Sequence, residues 1–328
     1  MAIAFGAACD TQANSTVTSP HDAVSADATV NALEEAYGLH RGERRNHTKG
    51  TCALGSFVGD ERVLKYSRSQ LFSGQSIPVV ARFSLAGGNP TARDTEKSPR
   101  GMALEFRLPN GALQHMTMIN TPMFFAATPR TFLDKMKALK PDPRTGEPDP
   151  EALKAFAASH PDNTGQARYL AEHNPPPSYA NSAYYGIHTF RFISGNDTVT
   201  LVRWRFVPRD GEKELSNAEL AAMPATFLEG ALIRRTEQGP VPWTMIVTIG
   251  QADDTEDDPT QAWPSGRQEL TAGVLTISSA MREHRNGCEN INYDPLMMAD
   301  GIAPSTDPVL LFRSPSYGVS AARRLQER

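Results

Sequence analysis

The sequence lacks the features of a nucleic-acid-binding or membrane-spanning protein. Its 33 Lys and Arg residues against 37 Asp and Glu residues give a net charge of -4, and no dense run of cations occurs, whereas phosphate backbones are bound by clustered cations. No apolar run approaches the roughly 20 residues that a membrane-spanning helix needs. We therefore expect a soluble protein that binds neither nucleic acid nor membrane through such elements.

Cysteine is also scarce. The three cysteines, Cys9, Cys52 and Cys288, are odd in number and widely spaced, so they imply neither a disulfide framework nor a zinc site. The first nine residues are apolar but have no basic lead, and therefore do not form an intact secretory signal. Residues 6–9 nevertheless resemble a lipoprotein cleavage site, which leaves both a cytoplasmic location and a periplasmic one with a trimmed signal open.

The beginning of the chain differs in composition from the rest. Residues 10–28 are rich in Thr, Ser, Ala and Asp and contain few apolar groups, so we expect a poorly ordered lead over 1–28. The remaining residues, 29–328, are long enough to bury a large core and are interpreted as a single domain.

Strand patterns separated by turn residues dominate that domain. Apolar runs and alternation predict strands at 53–58, 78–85, 102–108, 113–119, 188–193, 198–207, 241–250 and 269–277. Turn residues at 109–111 and 195–197 predict hairpins.

Helical patterns interrupt the strands. Helical spacing predicts one helix through Leu33 and Ala36 and two more at 129–139 and 151–158. A further capping-box pattern predicts a helix that begins at Ser216, bends near the proline at 224 and continues towards 235. Strands joined by hairpins and interrupted by helices favour an α+β fold, a closed antiparallel barrel with helices packed outside.

A short pattern near the end of the chain carries candidate chemistry. Arg313 precedes Tyr317 by four residues, so in a helix the guanidinium would lie beside the phenol and favour its ionised form. A phenolate is a ligand for ferric iron.

Further motifs occur in a fixed order along the chain. They are Arg44 to Gly50 with His47 at their centre, Arg82-Phe83-Ser84, Pro99-Arg100-Gly101, Asn120 to Phe125, Gly186 with His188-Thr189-Phe190, Asp258-Pro259-Thr260 with Trp263-Pro264, and Tyr293-Asp294-Pro295. Together with Arg313 and Tyr317, they resemble the catalase family over about residues 40–328. The short chain is similar to the minimal, catalase-related heme peroxidase branch.

The resemblance implies a fold and a cofactor. The fold would be the catalase-like closed eight-stranded barrel without the C-terminal helical domain of large catalases. The cofactor would be ferric heme b between barrel and helices, with Tyr317 as the iron ligand and Arg313 beside it. His47 would be the catalytic base that moves the peroxide proton, and Ser84 would hold its other ring nitrogen.

The remaining site residues also follow from the resemblance. Arg44, Arg82 and Arg324 would bind the two heme propionates, because a guanidinium pairs well with a carboxylate. Phe125 and Phe132 would line the peroxide side of the heme and exclude bulk water.

Three positions depart from the family pattern. Ile119 replaces the first Asn of Asn-Asn-Thr-Pro, which helps to bind peroxide, while Asn120 keeps the second. Ser98 stands where large catalases have a channel Asp, and Arg205 aligns with a His on the Tyr side of the heme. Loss of the distal amide predicts weaker oxidation of a second peroxide molecule and a pocket that accepts organic hydroperoxides.

The leading hypothesis is a heme peroxidase that reduces hydrogen peroxide or organic hydroperoxides with a small organic reductant and has weak catalase activity. We expect a homo-oligomer, with a dimer favoured. One alternative is a fatty-acid-hydroperoxide isomerase or lyase of the allene-oxide-synthase type, against which Ile119 counts. Another is a heme-binding barrel without turnover, against which the presence of His47 and Ser84 counts.

Overall fold

A closed β-barrel forms the centre of the computed structural model, which describes residues 24–283 and 287–328. Its strands are β1 (Gly50–Gly59), β2 (Ser76–Leu85), β3 (Arg100–Arg107), β4 (Leu113–Ile119), β5 (Tyr184–Ile193), β6 (Val199–Pro208), β7 (Val241–Ile249), β8 (Glu269–Arg282) and the short β9 (Ile302–Pro304). All eight predicted strands are present, and β8 continues five residues beyond its predicted end.

The strands pair antiparallel in the order β4-β3-β2-β1-β8-β7-β6-β5, with β9 beside β5. A pairing between Ile119 of β4 and Tyr185 of β5 closes the ring. The predicted closed antiparallel barrel of eight strands with helices around it is therefore confirmed.

Aromatic side chains fill the barrel interior. Phe57, Phe83, Phe106 and Trp243 are fully buried, with ring centroids 5.4 Å apart for Phe57 and Phe106 and 5.7 Å apart for Phe83 and Trp243. Burying each such side chain contributes about 1.5–3 kcal/mol. The interior is thus a packed core, and a ligand must bind outside the barrel wall.

Seven α-helices lie in the described part of the chain. They are α1 (Ala26–Tyr37), α2 (Pro129–Ala138), α3 (Pro150–Ser159), α4 (Thr164–Glu172), α5 (Asn217–Ala222), α6 (Leu228–Glu237) and α7 (Pro308–Gln326). None of the helices described is both long and apolar enough to cross a membrane.

The first helix begins earlier than expected. The Ser25 side chain accepts a hydrogen bond from the backbone N of Ala28 and caps α1, so residues 26–28 of the predicted lead are helical. Residues 1–23 lie outside the described part of the chain. The buried Arg45 ties α1 to α7, since its guanidinium donates to Glu34 of α1 and to Glu327 next to α7.

The predicted bent helix is wrong; the segment forms two helices. The capping box of Ser216 and Glu219 begins α5 as predicted, but α5 ends at Ala222, and the backbone of the next residue, Met223, is extended. The proline at 224 disfavours a helical conformation in the residue before it. A separate α6 then begins where the Asp94 carboxylate accepts hydrogen bonds from the backbone N atoms of 227 and 228.

The prediction that the cysteines imply no disulfide is also corrected. Cys52 of β1 and Cys288 form a disulfide, with their Cα atoms 5.9 Å apart across 236 residues of sequence. Sequence spacing does not reveal this pair, because the barrel brings the two segments together.

We predict that the disulfide stabilises the folded chain. Replacing Cys52 and Cys288 by Ala is expected to lower the free energy of unfolding by about 2–4 kcal/mol, because the bond restricts the unfolded ensemble. Urea unfolding with and without a thiol reductant measures the effect. The reductant should destabilise the wild-type protein and leave the double variant unchanged; equal responses of both proteins would contradict the prediction.

Candidate functional site

A slot lies between the outer face of the barrel and α7. Its cavity volume is about 180 Å³, and the slot is partly open to solvent. Residues of β2, β3 and β4 form one wall, α7 forms another, and α1, α2 and adjoining loops contribute to the rest. His47, Ser84, Arg313 and Tyr317 all line this one slot.

His47 lies in the loop before β1, and its backbone is held in an unusual conformation. Its φ of 53° falls in the left-handed region that residues with a Cβ rarely adopt. Asn46 Oδ1 accepts hydrogen bonds from the backbone N atoms of His47 at 2.9 Å and Gly87 at 2.8 Å. Arg82 donates to the His47 carbonyl at 2.7 Å. These contacts fix the position from which the ring projects into the slot.

Ser84 orients the His47 ring. The Ser84 Oγ lies 2.9 Å from Nδ1 of His47. Gly101 leaves room for the pair, since a Cβ there would lie 2.7 Å from Ser84 Oγ and 2.9 Å from His47 Nδ1. Burial, followed by the positive charges of three nearby arginines, lowers the pKa of His47 to about 3. His47 is therefore neutral near pH 7 and is able to accept a proton.

Arg313 and Tyr317 lie on the face of α7 that lines the slot. Arg313 Nη2 donates to the Tyr317 hydroxyl oxygen at 2.8 Å and to Thr117 Oγ1 at 2.8 Å. The guanidinium carbon lies 5.4 Å from the centre of the Tyr317 ring. The structure thus brings these two side chains together as their helical spacing predicts.

A buried hydrogen-bond chain extends behind Arg313. Its Nη1 donates to Nε2 of His188 at 3.0 Å, so Nδ1 of His188 carries the proton and donates to Asp307 Oδ2 at 2.6 Å. The other Asp307 oxygen caps α7 by accepting from the backbone N atoms of Val309 and Leu310. Burial lowers the pKa of His188, although Asp307 opposes this shift. Arg313 is thereby held against Tyr317 by a neutral imidazole.

Sequence reasoning missed His188 as a site residue and considered Arg205 as the corresponding position. Arg205 instead pairs with Glu269 on β8 and does not line the slot. The motif around His188 does not indicate this contact; only the fold shows that this strand residue reaches Arg313. The proximity of Asp307 to Arg313 in the sequence offered a partial signal.

Three arginines and a carboxylate form a buried cluster at the slot. Burial, together with the charges of Arg82 and Arg324, lowers the pKa of Arg44 to about 9. Arg82 donates to both carboxylate oxygens of Glu283, at 2.5 and 2.8 Å, and Arg44 Nε lies 3.9 Å from the same group. Arg44 Nη2 also donates to three backbone carbonyls, those of 288, 289 and 291.

The cluster fits a ligand with two negative charges. Three guanidinium groups and one carboxylate leave two excess positive charges, and the Nε atoms of Arg44 and Arg324 are buried without a hydrogen-bond partner. An uncompensated buried charge costs several kcal/mol. The two carboxylates of a heme, the cofactor that the sequence resemblance implies, would supply the missing partners.

Apolar side chains form much of the remaining wall. Phe132 lines the slot, and Phe124 lines it as well. Phe125 packs behind them, with its ring centroid 4.5 Å from that of Phe124 and 5.4 Å from that of Phe132. Val30 and Leu33 of α1 also contribute, a role that the helical pattern alone did not indicate. A slot with apolar walls and a cationic cluster suits a flat, amphipathic anion.

The positions that depart from the family pattern have different surroundings. Ile119 lines the slot. Asn120 is committed elsewhere, because its side-chain oxygen accepts a hydrogen bond from the backbone N of Arg100 at 2.7 Å. Ser98 donates to the carbonyl of Ala86 at 3.1 Å and does not line the slot. Ile119 is therefore the departure that changes the surface of the slot.

Known proteins resemble this chain along nearly its whole length. The family model described as Catalase matches residues 6–328. A catalase-related peroxidase from Synechococcus elongatus is 54% identical over 301 residues, which cover 92% of this chain and 89% of that protein. Another from Mycolicibacterium paratuberculosis is 34% identical over 299 residues, covering 91% and 94%.

Solved structures resemble the fold. A fungal catalase superimposes with a TM-score of 0.80 at 23% identity, covering 86% of this chain and 60% of that one. A bacterial catalase gives a TM-score of 0.79 at 25% identity, covering 98% and 68%. The chain thus spans about 60% of the fungal enzyme's length.

We predict that the His47 ring stays neutral over an unusually wide pH range. Because its pKa is lowered to about 3, NMR of protein labelled in histidine should show no protonation of this ring between about pH 8 and pH 5. A His47→Gln variant identifies the resonance and serves as the control. A titration midpoint near the usual histidine value of about 6.5 would contradict the prediction.

Proposed function

This chain belongs to the catalase family, and we propose that it is a heme peroxidase that reduces hydrogen peroxide or organic hydroperoxides with an external electron donor and has weak catalase activity. One observation carries the proposal: a neutral histidine and an arginine-paired tyrosine line the same apolar slot. The relatives named catalase-related peroxidase, which match most of the chain, support it.

Catalase family proteins bind heme, and we propose ferric heme b for this chain, with Tyr317 as its iron ligand. Heme bound through a phenolate, the arrangement typical of catalases, favours the ferric state and promotes cleavage of the peroxide O–O bond. Arg313 would stabilise the negative charge on the Tyr317 oxygen, since it donates a hydrogen bond to that atom at 2.8 Å. Arg44, Arg82 and Arg324 would hold the propionates.

His47 would move the peroxide proton. As a neutral imidazole it accepts a proton from one peroxide oxygen through Nε2 and returns it to the other oxygen, which leaves as water or an alcohol. Ser84 at Nδ1 keeps Nε2 turned to the slot. General acid–base transfer of this kind contributes about 10²–10⁴-fold to the rate.

Ile119 would set the balance between the two ways of completing the reaction. Catalase activity requires a second peroxide molecule to be bound and oxidised, which needs polar groups near the reacting oxygen. Ile119 lines the slot with an apolar surface. The side-chain oxygen of Asn120 already accepts a hydrogen bond from the backbone N of Arg100. The site therefore favours apolar hydroperoxides and donor oxidation over oxygen release.

We predict that Tyr317→Phe loses stable heme binding or shows a grossly altered ferric spectrum, because the phenyl ring offers no ligand atom. The Soret and charge-transfer bands of heme-reconstituted protein measure this. Tyr184→Phe, a change inside the barrel, is the matched control and should retain the wild-type spectrum. An unchanged spectrum in Tyr317→Phe would remove Tyr317 as the ligand.

We predict that Ile119→Asn raises oxygen release relative to donor oxidation. A restored hydrogen bond of about 0.5–1.5 kcal/mol would change the ratio by up to about tenfold if it acts in the transition state. Both rates are measured on one preparation and normalised to heme, with Ile119→Val as the apolar control. An unchanged or lower ratio would show that Ile119 does not limit catalase activity.

The same assay tests the proposed activity itself. Hydroperoxide should be consumed in proportion to added donor, whereas an isomerase or lyase would consume a fatty-acid hydroperoxide without any donor. A heme-binding barrel without turnover would consume neither hydroperoxide nor donor.

A further inference from the structure

A second tyrosine borders the slot and has a hydroxyl without a partner. Tyr293 lines the slot beside the arginine cluster, with the guanidinium carbon of Arg44 5.8 Å from its ring centre. The residue is 3% exposed, and its hydroxyl is buried with no hydrogen-bond partner. Burying an unpaired hydroxyl costs about 1–3 kcal/mol, so the fold places this hydroxyl here at a cost in stability.

An unpartnered acceptor lies next to it. The ring of His115 is 5.8 Å from that of Tyr293, centre to centre. Its Nε2 lies 3.2 Å from Glu105 Oε2, and a carboxylate at this atom favours the tautomer with hydrogen on Nε2. The other nitrogen, Nδ1, is then an acceptor, and it too is buried without a partner.

These groups extend from the slot to the surface. Glu105 and His115 are directly opposite each other on β3 and β4, and Glu105 accepts a hydrogen bond at 3.0 Å from Arg107, whose side chain is 57% exposed. Tyr293, His115 and Glu105 thus form a buried polar series that ends at solvent. Neither the peroxide reaction nor the proposed heme-binding contacts use it.

We propose that Tyr293 is a redox-active residue that passes electrons from an external one-electron donor to the slot, with Nδ1 of His115 as its proton acceptor. The inference rests on the proposed heme peroxidase function, which supplies the oxidant. Tyr293 gives one electron to the peroxide-oxidised cofactor and its phenolic proton to His115. The donor then returns one electron and His115 returns the proton, so that Tyr293 is restored and the cofactor is reduced by one electron.

The surroundings of Tyr293 favour loss of the proton together with the electron. Burial raises the pKa of its phenol, and Glu105 and Glu283 add to the shift, while Arg44 and Arg82 oppose it. The phenol is therefore protonated at neutral pH and needs a nearby base when it is oxidised. The His115 ring, whose centre lies 5.8 Å from that of Tyr293, carries such a base in its unpartnered Nδ1, and a bound water between the two polar groups would relay the proton.

The test is electron paramagnetic resonance of heme-reconstituted enzyme frozen shortly after mixing with hydrogen peroxide in the absence of a donor. The wild-type protein should give a tyrosyl radical signal that narrows when its tyrosine rings are deuterated. Tyr293→Phe should lose this signal, and Tyr184→Phe, the matched control inside the barrel, should keep it. An equal signal in Tyr293→Phe and wild type would overturn the proposal.

His115→Leu provides a second variant that leaves Tyr293 in place. It should show the same loss of radical, because the proton acceptor is gone, and slower oxidation of ferrocyanide per heme. This variant decides the question if Tyr293→Phe does not retain heme, and a wild-type signal in His115→Leu would overturn the proposed proton transfer.

The two proposals fail in different ways. If the reconstituted protein shows no spectral response to peroxide, the heme peroxidase proposal is wrong. If the heme responds to peroxide but no tyrosyl radical depends on Tyr293, only the inference about Tyr293 is wrong.

Discussion

The guanidinium of Arg82 lies in the barrel wall and donates hydrogen bonds to the carbonyls of His47 and Thr48 and to the carboxylate of Glu283. Its burial would be costly without these partners. The same contacts hold the loop that keeps His47 at its left-handed φ and fix the end of β8 against β2. The position of the base, the charge of the arginine cluster and the attachment of the end of β8 to β2 therefore depend on one side chain.

Asp307 links folding and chemistry on the other side of the slot. One of its oxygens caps α7, and the other accepts from His188, which in turn accepts from Arg313. Asp307 therefore caps the helix that carries Tyr317 and also holds Arg313 in place through His188. A change at Asp307 would alter the start of α7 and the hydrogen bond to Tyr317 together, although Asp307 itself does not line the slot.

Local patterns predicted much of this molecule because their causes are local. Alternation gave the eight strands, and the four-residue spacing of Arg313 and Tyr317 gave their contact. Contacts between distant segments are less accessible from the sequence: the Cys52–Cys288 bond spans 236 residues, and the hydrogen bond between His188 and Arg313 spans 125. The break between α5 and α6 differs from the predicted bend, because the residue before the proline adopts an extended backbone and ends the helix.

The disulfide has a consequence for the edge of the slot. Cys288 provides one of the carbonyls that hold Arg44, and the other two belong to Glu289 and Ile291, so closing the bond anchors this edge of the slot to β1. The oxidation state of two cysteines therefore bears on how firmly the carbonyls that hold Arg44 are attached to the barrel.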